Sequence, residues 1–144
     1  MPFKFREDIS IADVAFEATG KTLNELFEAC ATAIVATMVK NYKKIAKKQV
    51  KKFTAYSKGN VEKLLHDFMN ELIFIKDAEK LLFGKCKVNV VQRDGAYALE
   101  AECYGEKINP KKHILLVDVK AATWHMFKVE ETDKGWKALV ILDV

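Results

Sequence analysis

The sequence predicts an α+β protein: two helices packed on largely antiparallel β-sheet, in the order β-α-β-α-β-β-β-β. Three observations lead there. Two stretches carry apolar residues at helical spacing, each opened by a capping or turn signal. From about residue 80 onward the pattern changes to that of strands. Within that region Asp94-Gly95 separates two strand-like runs with the dipeptide that suits a tight hairpin.

Taken in order, residues 11–18 (IADVAFEA) are strand-like, with Val14 and Phe16 on one face and Asp13, Ala15 and Glu17 on the other. Gly20 breaks that strand. Thr22-Leu23-Asn24-Glu25 fits a capping box, and Leu23, Leu26, Phe27, Cys30, Ile34 and Met38 follow as one face of a helix running to about residue 39. The next segment is a loop and then a strand near 49–56. Gly59 and Asn60 open the second helix, whose core stripe is Val61, Leu64, Leu65, Phe68, Leu72 and Ile75. CKVNVVQ and YALEAECYG form the hairpin, and the polar loop GEKINPKKH follows. Residues 115–129 read as one long strand. Thr132-Asp133-Lys134-Gly135 turns the chain, and WKALVILDV returns antiparallel.

No repeat, low-complexity tract or Pro/Gly-rich linker interrupts the 144 residues, so one domain over 1–144 is expected. Half the residues are apolar and 31% are charged, the balance of an ordinary globular protein. No apolar run approaches the ~20 residues of a membrane span. MPFKFREDIS lacks the apolar core of a secretion signal, so the expected setting is cytoplasmic, without membrane partners. Cys30, Cys86 and Cys103 are odd in number and widely spaced, and are read as reduced, buried thiols.

Seven lysines fall between Lys40 and Lys52. Lys43, Lys44, Lys47, Lys48 and Lys51 form a candidate nucleic-acid patch; the alternative is a solvated connector. Phosphate-binding glycine loops, dinucleotide fingerprints, zinc helices and serine nucleophile elbows are all missing. His66 is read as a surface residue of the second helix. His113 ends a polar loop and is a candidate ligand contact. His125, beside Trp124 on the long strand, is either a satisfied core histidine or a contact residue.

The carboxylates are more telling. Asp13 interrupts an apolar strand, and the sequence closes VILDV, placing the Asp143 side chain beside the Val144 α-carboxylate. If the first and last strands are neighbours, these three groups meet. They then repel unless a cation sits between them or water screens them. Oxygen ligands favour calcium, magnesium or manganese over zinc. The competing reading is a solvated Asp13 and a docked terminus.

Several stretches together resemble the archease family: SIADVAFEATGKTLNELFEACATA, LLHDFMNELIFIKDAEKLLF, YGEKINPKKH, VDVKAATWHMFKV and GWKALVILDV. They occur in family order and cover nearly the whole chain. The resemblance implies a non-catalytic cofactor protein for an RtcB-type RNA ligase in tRNA splicing, promoting guanylylation of the ligase by GTP and multiple turnover. It also implies, for some members, a link to a tRNA cytosine methyltransferase, which makes a tRNA-binding or chaperone-like modulator the alternative. The family's acidic metal site corresponds here to Asp13, Asp143 and Val144. Lys120 matches a family lysine, acting near the metal, ligase or nucleotide, or else buried and paired with Asp118 or Glu106. The family's His-Thr-Ala-Asp appears as Ser10-Ile11-Ala12-Asp13: the aspartate is kept, and the resemblance implies weaker metal binding if the missing histidine orients the metal site, or a different partner surface if it contacts the ligase. A metal-dependent hydrolase is disfavoured, because no base or nucleophile accompanies the carboxylates.

Overall fold

The computed structural model describes residues 2–9 and 13–144. In chain order the elements are β1 (Phe3–Phe5), β2 (Val14–Gly20), α1 (Leu23–Met38), β3 (Gln49–Lys58), α2 (Val61–Glu79), β4 (Leu81–Arg93), β5 (Ala96–Lys107), β6 (Ala121–Ala122), β7 (Lys128–Thr132) and β8 (Gly135–Asp143). This is the expected α+β arrangement, with every strand pair antiparallel. Five strands form one sheet in the order β1-β2-β8-β6, with β7 also on β8; β3-β5-β4 form a second.

Both helices begin where their caps dictate. The Thr22 hydroxyl accepts from the Glu25 N–H at 3.2 Å, and the Glu25 carboxylate accepts from the Lys21 N–H at 2.7 Å. The reciprocal bond thus falls one residue earlier than in a standard capping box. Asn60 Oδ1 accepts from the Lys63 N–H at 3.0 Å to start α2. α1 also protects an edge of the second sheet. Asn24 Oδ1 accepts from the Val90 N–H at 2.7 Å and Glu28 Oε2 from the Val88 N–H at 2.9 Å, so β4 offers a partnered edge rather than an open one. The core joins both layers: Phe68 of α2 lies 5.6 Å from Phe27 of α1 and 5.8 Å from Phe53 of β3, centroid to centroid.

Three expectations need correction. The strand expected over 115–129 is not continuous. Leu116 N–H donates to the Met38 carbonyl at 2.8 Å and Lys40 N–H to the Ile114 carbonyl at 2.8 Å, so 114–116 extends the exit of α1. Of this stretch only β6 and β7 pair with β8; between them Thr123 still donates to the Ile141 carbonyl and the chain from Trp124 to Phe127 loops out, with Met126 in the left-handed region at φ 52°. Apolar periodicity could not distinguish a strand on β8 from an extended segment bridging to Val39. Second, Cys86 and Cys103 are not separate thiols: they are directly opposite on β4 and β5 and joined by a disulfide, leaving Cys30 free and buried. Third, β2 starts at Val14, so Asp13 stands one residue ahead of the strand instead of inside it. β1, too short for a periodicity signal, is an addition.

Candidate functional site

The end of β8 is bracketed on both sides. Val14 of β2 pairs with Leu142, and on the other flank Ala122 pairs with Leu142 and Ala121 with Asp143. Continuing the β2 register by one step puts position 13 opposite position 143, the spacing at which neighbouring side chains interact across strands. Asp13 is half-buried, Asp143 exposed and Val144 half-buried. The three expected carboxylate positions are therefore gathered at one end of the sheet. Ser10 and Ile11, where the sequence departs from the family motif, lie outside the described residues.

Lys120 joins this end through its backbone: its N–H donates to the Asp143 carbonyl at 2.7 Å. Its side chain is exposed. The buried-lysine reading belongs to another residue. Lys76, 4% exposed, holds Asp118 and Asp77 each at 2.6 Å and donates to the Val119 carbonyl at 2.8 Å. Glu106 is also taken, by Lys112 at 2.7 Å, His113 at 3.0 Å and Lys48 at 3.7 Å.

The loop beside β6 is held by contacts that were not foreseen. Asn70 of α2 clamps Ala122, accepting its N–H at 3.0 Å and donating to its carbonyl at 3.2 Å. The His66 ring stacks on Trp124, 3.8 Å between centroids and 12° between planes, and Phe127 meets Trp124 edge-on at 5.5 Å. Partial burial holds the His66 pKa below its ordinary value, despite nearby Asp67. His66 is thus a partly buried stacking residue. His125 is exposed at the loop tip, which removes its core reading. One signal for this clamp was present: His66 and Asn70 are four residues apart, hence on one face of a predicted helix.

His113 is 2% exposed and structural, contrary to its reading as a loop contact. Its Nδ1 accepts from the Asn109 N–H at 2.9 Å, so the ring proton sits on Nε2 and points to Glu106. The lysine patch is divided. Lys51 pairs with Glu79 at 2.6 Å and Lys48 with Glu106, whereas Lys43, Lys44 and Lys47 are exposed.

Comparisons with known proteins give the family and the fold. Residues 3–144 match the model of the archease protein family (MTH1598/TM1083). The chain belongs to the archease family. It is 40% identical over 134 residues to protein archease of Pyrococcus furiosus, covering 92% of this chain and 93% of that one. Its fold matches the solution structure of Methanobacterium thermoautotrophicum protein 1598, with TM-score 0.85, 34% identity and 99% of each chain covered. A crystal structure from Thermotoga maritima, described as an archease and possible chaperone, shares the fold at TM-score 0.59 and 18% identity, covering 94% of this chain and 93% of that one. No helix among the described residues is long and apolar enough to cross a membrane.

Proposed function

We propose that this archease-family protein activates an RtcB-type RNA ligase, favouring ligase guanylylation by GTP and repeated turnover, and that it does so as a binding protein rather than as an enzyme. Family membership supports the partner class. The observation that carries the site is the β2–β8 register, Val14 opposite Leu142, which brings Asp13 and Asp143 to one sheet end beside Val144.

The donor set suits a divalent cation with a preference for oxygen: calcium, magnesium or manganese. Asp13, Asp143 and the Val144 carboxylate would hold it. A bound cation supplies positive charge against polyphosphate oxygens. Lys120 adds an exposed ammonium on the segment joined to Asp143. An apolar groove of about 560 Å³ opens next to Asp13, between Phe5, Val14, Leu116 and Val117, and suits a protein partner's surface.

The test is multiple-turnover RNA joining by the cognate ligase, with GTP and divalent metal, with and without this protein. Stimulation is expected, and Asp143→Ala should remove most of it while weakening calcium or manganese binding measured calorimetrically. Full stimulation by Asp143→Ala would sink the metal-dependent reading. A second reading, modulation of a tRNA cytosine methyltransferase, draws on the exposed Lys43, Lys44 and Lys47. It requires salt-sensitive tRNA binding lost on neutralising those lysines but kept in Asp143→Ala.

A further inference from the structure

The outer face of the β3-β5-β4 sheet is uncovered, and the register sorts its side chains into rows. Tyr56, Ala98 and Val91 form one row. On one side of it runs Lys58–Ala96–Arg93, and on the other Thr54–Glu100–Asn89, then Lys52–Glu102–Lys87. Tyr56 is 62% exposed and Val91 47%. The alanines at 96 and 98 keep the middle strand low, so two adjoining open troughs, about 570 and 540 Å³, share Tyr56, Val91 and Ala98 as their floor and wall.

We infer that this face is a binding site for single-stranded RNA, with a base stacked on Tyr56, backbone phosphates beside Lys58 and Arg93, and a ribose over the Thr54–Glu100–Asn89 row. An exposed ring on an open sheet, flanked by cations, is the arrangement that binds unpaired bases. Charge selects this occupant. Of the three acids along these troughs, Asp94 stands in the hairpin turn at the Arg93 end, and Glu102 is engaged by Lys52 at 3.8 Å and by the Tyr104 hydroxyl at 2.8 Å. Lys58, Lys87 and Arg93 are exposed and form no ion pair among the described residues. Glu100, the remaining acid, lies a row away from Tyr56 and two from Lys58 and Arg93. A carboxylate there accepts a hydrogen bond from a ribose 2′-hydroxyl, which DNA lacks. The apolar surface offered is one tyrosine, one valine and small alanines, too little for the core of a stable protein interface. The site is separate from the acidic end of β8 and from the Lys43–Lys47 segment.

Fluorescence anisotropy of the full chain with labelled ten-nucleotide RNA and DNA of one sequence, at 50 and 200 mM salt, tests this. RNA should bind more tightly than DNA. Tyr56→Ala should weaken RNA binding about tenfold and Tyr56→Phe should preserve it. Lys58→Ala with Arg93→Ala should lower the slope of log affinity against log salt by about 1.4, at ~0.7 per phosphate contact. A Lys43→Ala, Lys44→Ala, Lys47→Ala variant should bind as wild type. The site is overturned if wild type binds no single strand, if Tyr56→Ala binds normally, or if only the Lys43–Lys47 variant loses affinity. Equal affinity for RNA and DNA overturns the ribose contact. A dimer in sedimentation that Tyr56→Ala dissociates would reassign the face to a second copy of the chain.

Discussion

Glu106 shows how one buried acid ties two loops together. It accepts from the Ala46 N–H at 2.8 Å while Lys112 and His113 hold it from the other side. Burial alone would raise its pKa. The Ala46 N–H, Lys112 and His113 outweigh that and bring it from an ordinary 4.5 down to about 2. On acidification the unfolded chain therefore takes up this proton first. The stability Glu106 contributes is complete above about pH 4.5 and is lost as pH falls toward 2. Glu106→Gln should lower the urea midpoint clearly at pH 7, with the gap from wild type closing as pH approaches 2–3; a gap constant with pH would show that charge is not what matters. His113 was read as a loop contact because sequence shows polarity and position, not which backbone N–H will face a ring nitrogen. Asp13 and Asp143 stand out in the sequence because each is a charge set against an apolar run, and the β2–β8 register puts their positions opposite each other.

At the scale of elements, turns and caps read well and strand partners did not. Asp94 at φ 52° and Gly95 at φ 77° form the expected hairpin turn. Counting outward from that turn places Cys86 opposite Cys103, so the disulfide was recoverable from the predicted hairpin; treating the cysteines by count and spacing alone missed it. The broken 115–129 strand was not recoverable, because its interruption depends on Asn70, His66 and the α1 exit, all distant in sequence. The two hairpin strands slip register between Phe83 and Lys85, and Gly105 sits opposite that slip. A methyl group at Gly105 would overlap the Leu82 carbonyl. Gly105→Ala should therefore cost about 4 kcal/mol or prevent folding, whereas Gly95→Ala, with open space but a positive φ, should cost about 1 kcal/mol. Urea melts of both variants check the contrast, and similar losses would contradict it.

For the whole molecule, the predicted fold class holds because two long amphipathic helices and a Asp-Gly hairpin leave few alternatives. The sequence could not divide eight strands between two sheets, since that division rests on long-range pairs such as Val14 with Leu142. Phe68 is where the layers meet, touching Phe27 and Phe53 at once. Phe68→Ala should destabilise the chain by about 3–5 kcal/mol. It should do so in one cooperative transition, with far-ultraviolet circular dichroism and Trp fluorescence melting together; separate transitions would mean that the two sheets unfold independently.

β8 lies between β2 and the β6/β7 pieces, yet among the described strands it comes last in chain order. On the ribosome, β3, α2, β4 and β5 emerge consecutively and can close their sheet locally. β2 emerges early and waits for β8, an interval on the order of ten seconds at ~5–20 residues per second. Throughout it, the VAFEATG strand presents an open, apolar edge, the kind of template on which nascent chains mispair. Glu17, which ends up buried between Arg6 at 2.7 Å and Lys137 at 2.9 Å, is the one charge inside that strand. Before Lys137 has been made, Glu17 discourages pairing with another apolar strand; once β8 arrives, the same carboxylate becomes part of the join.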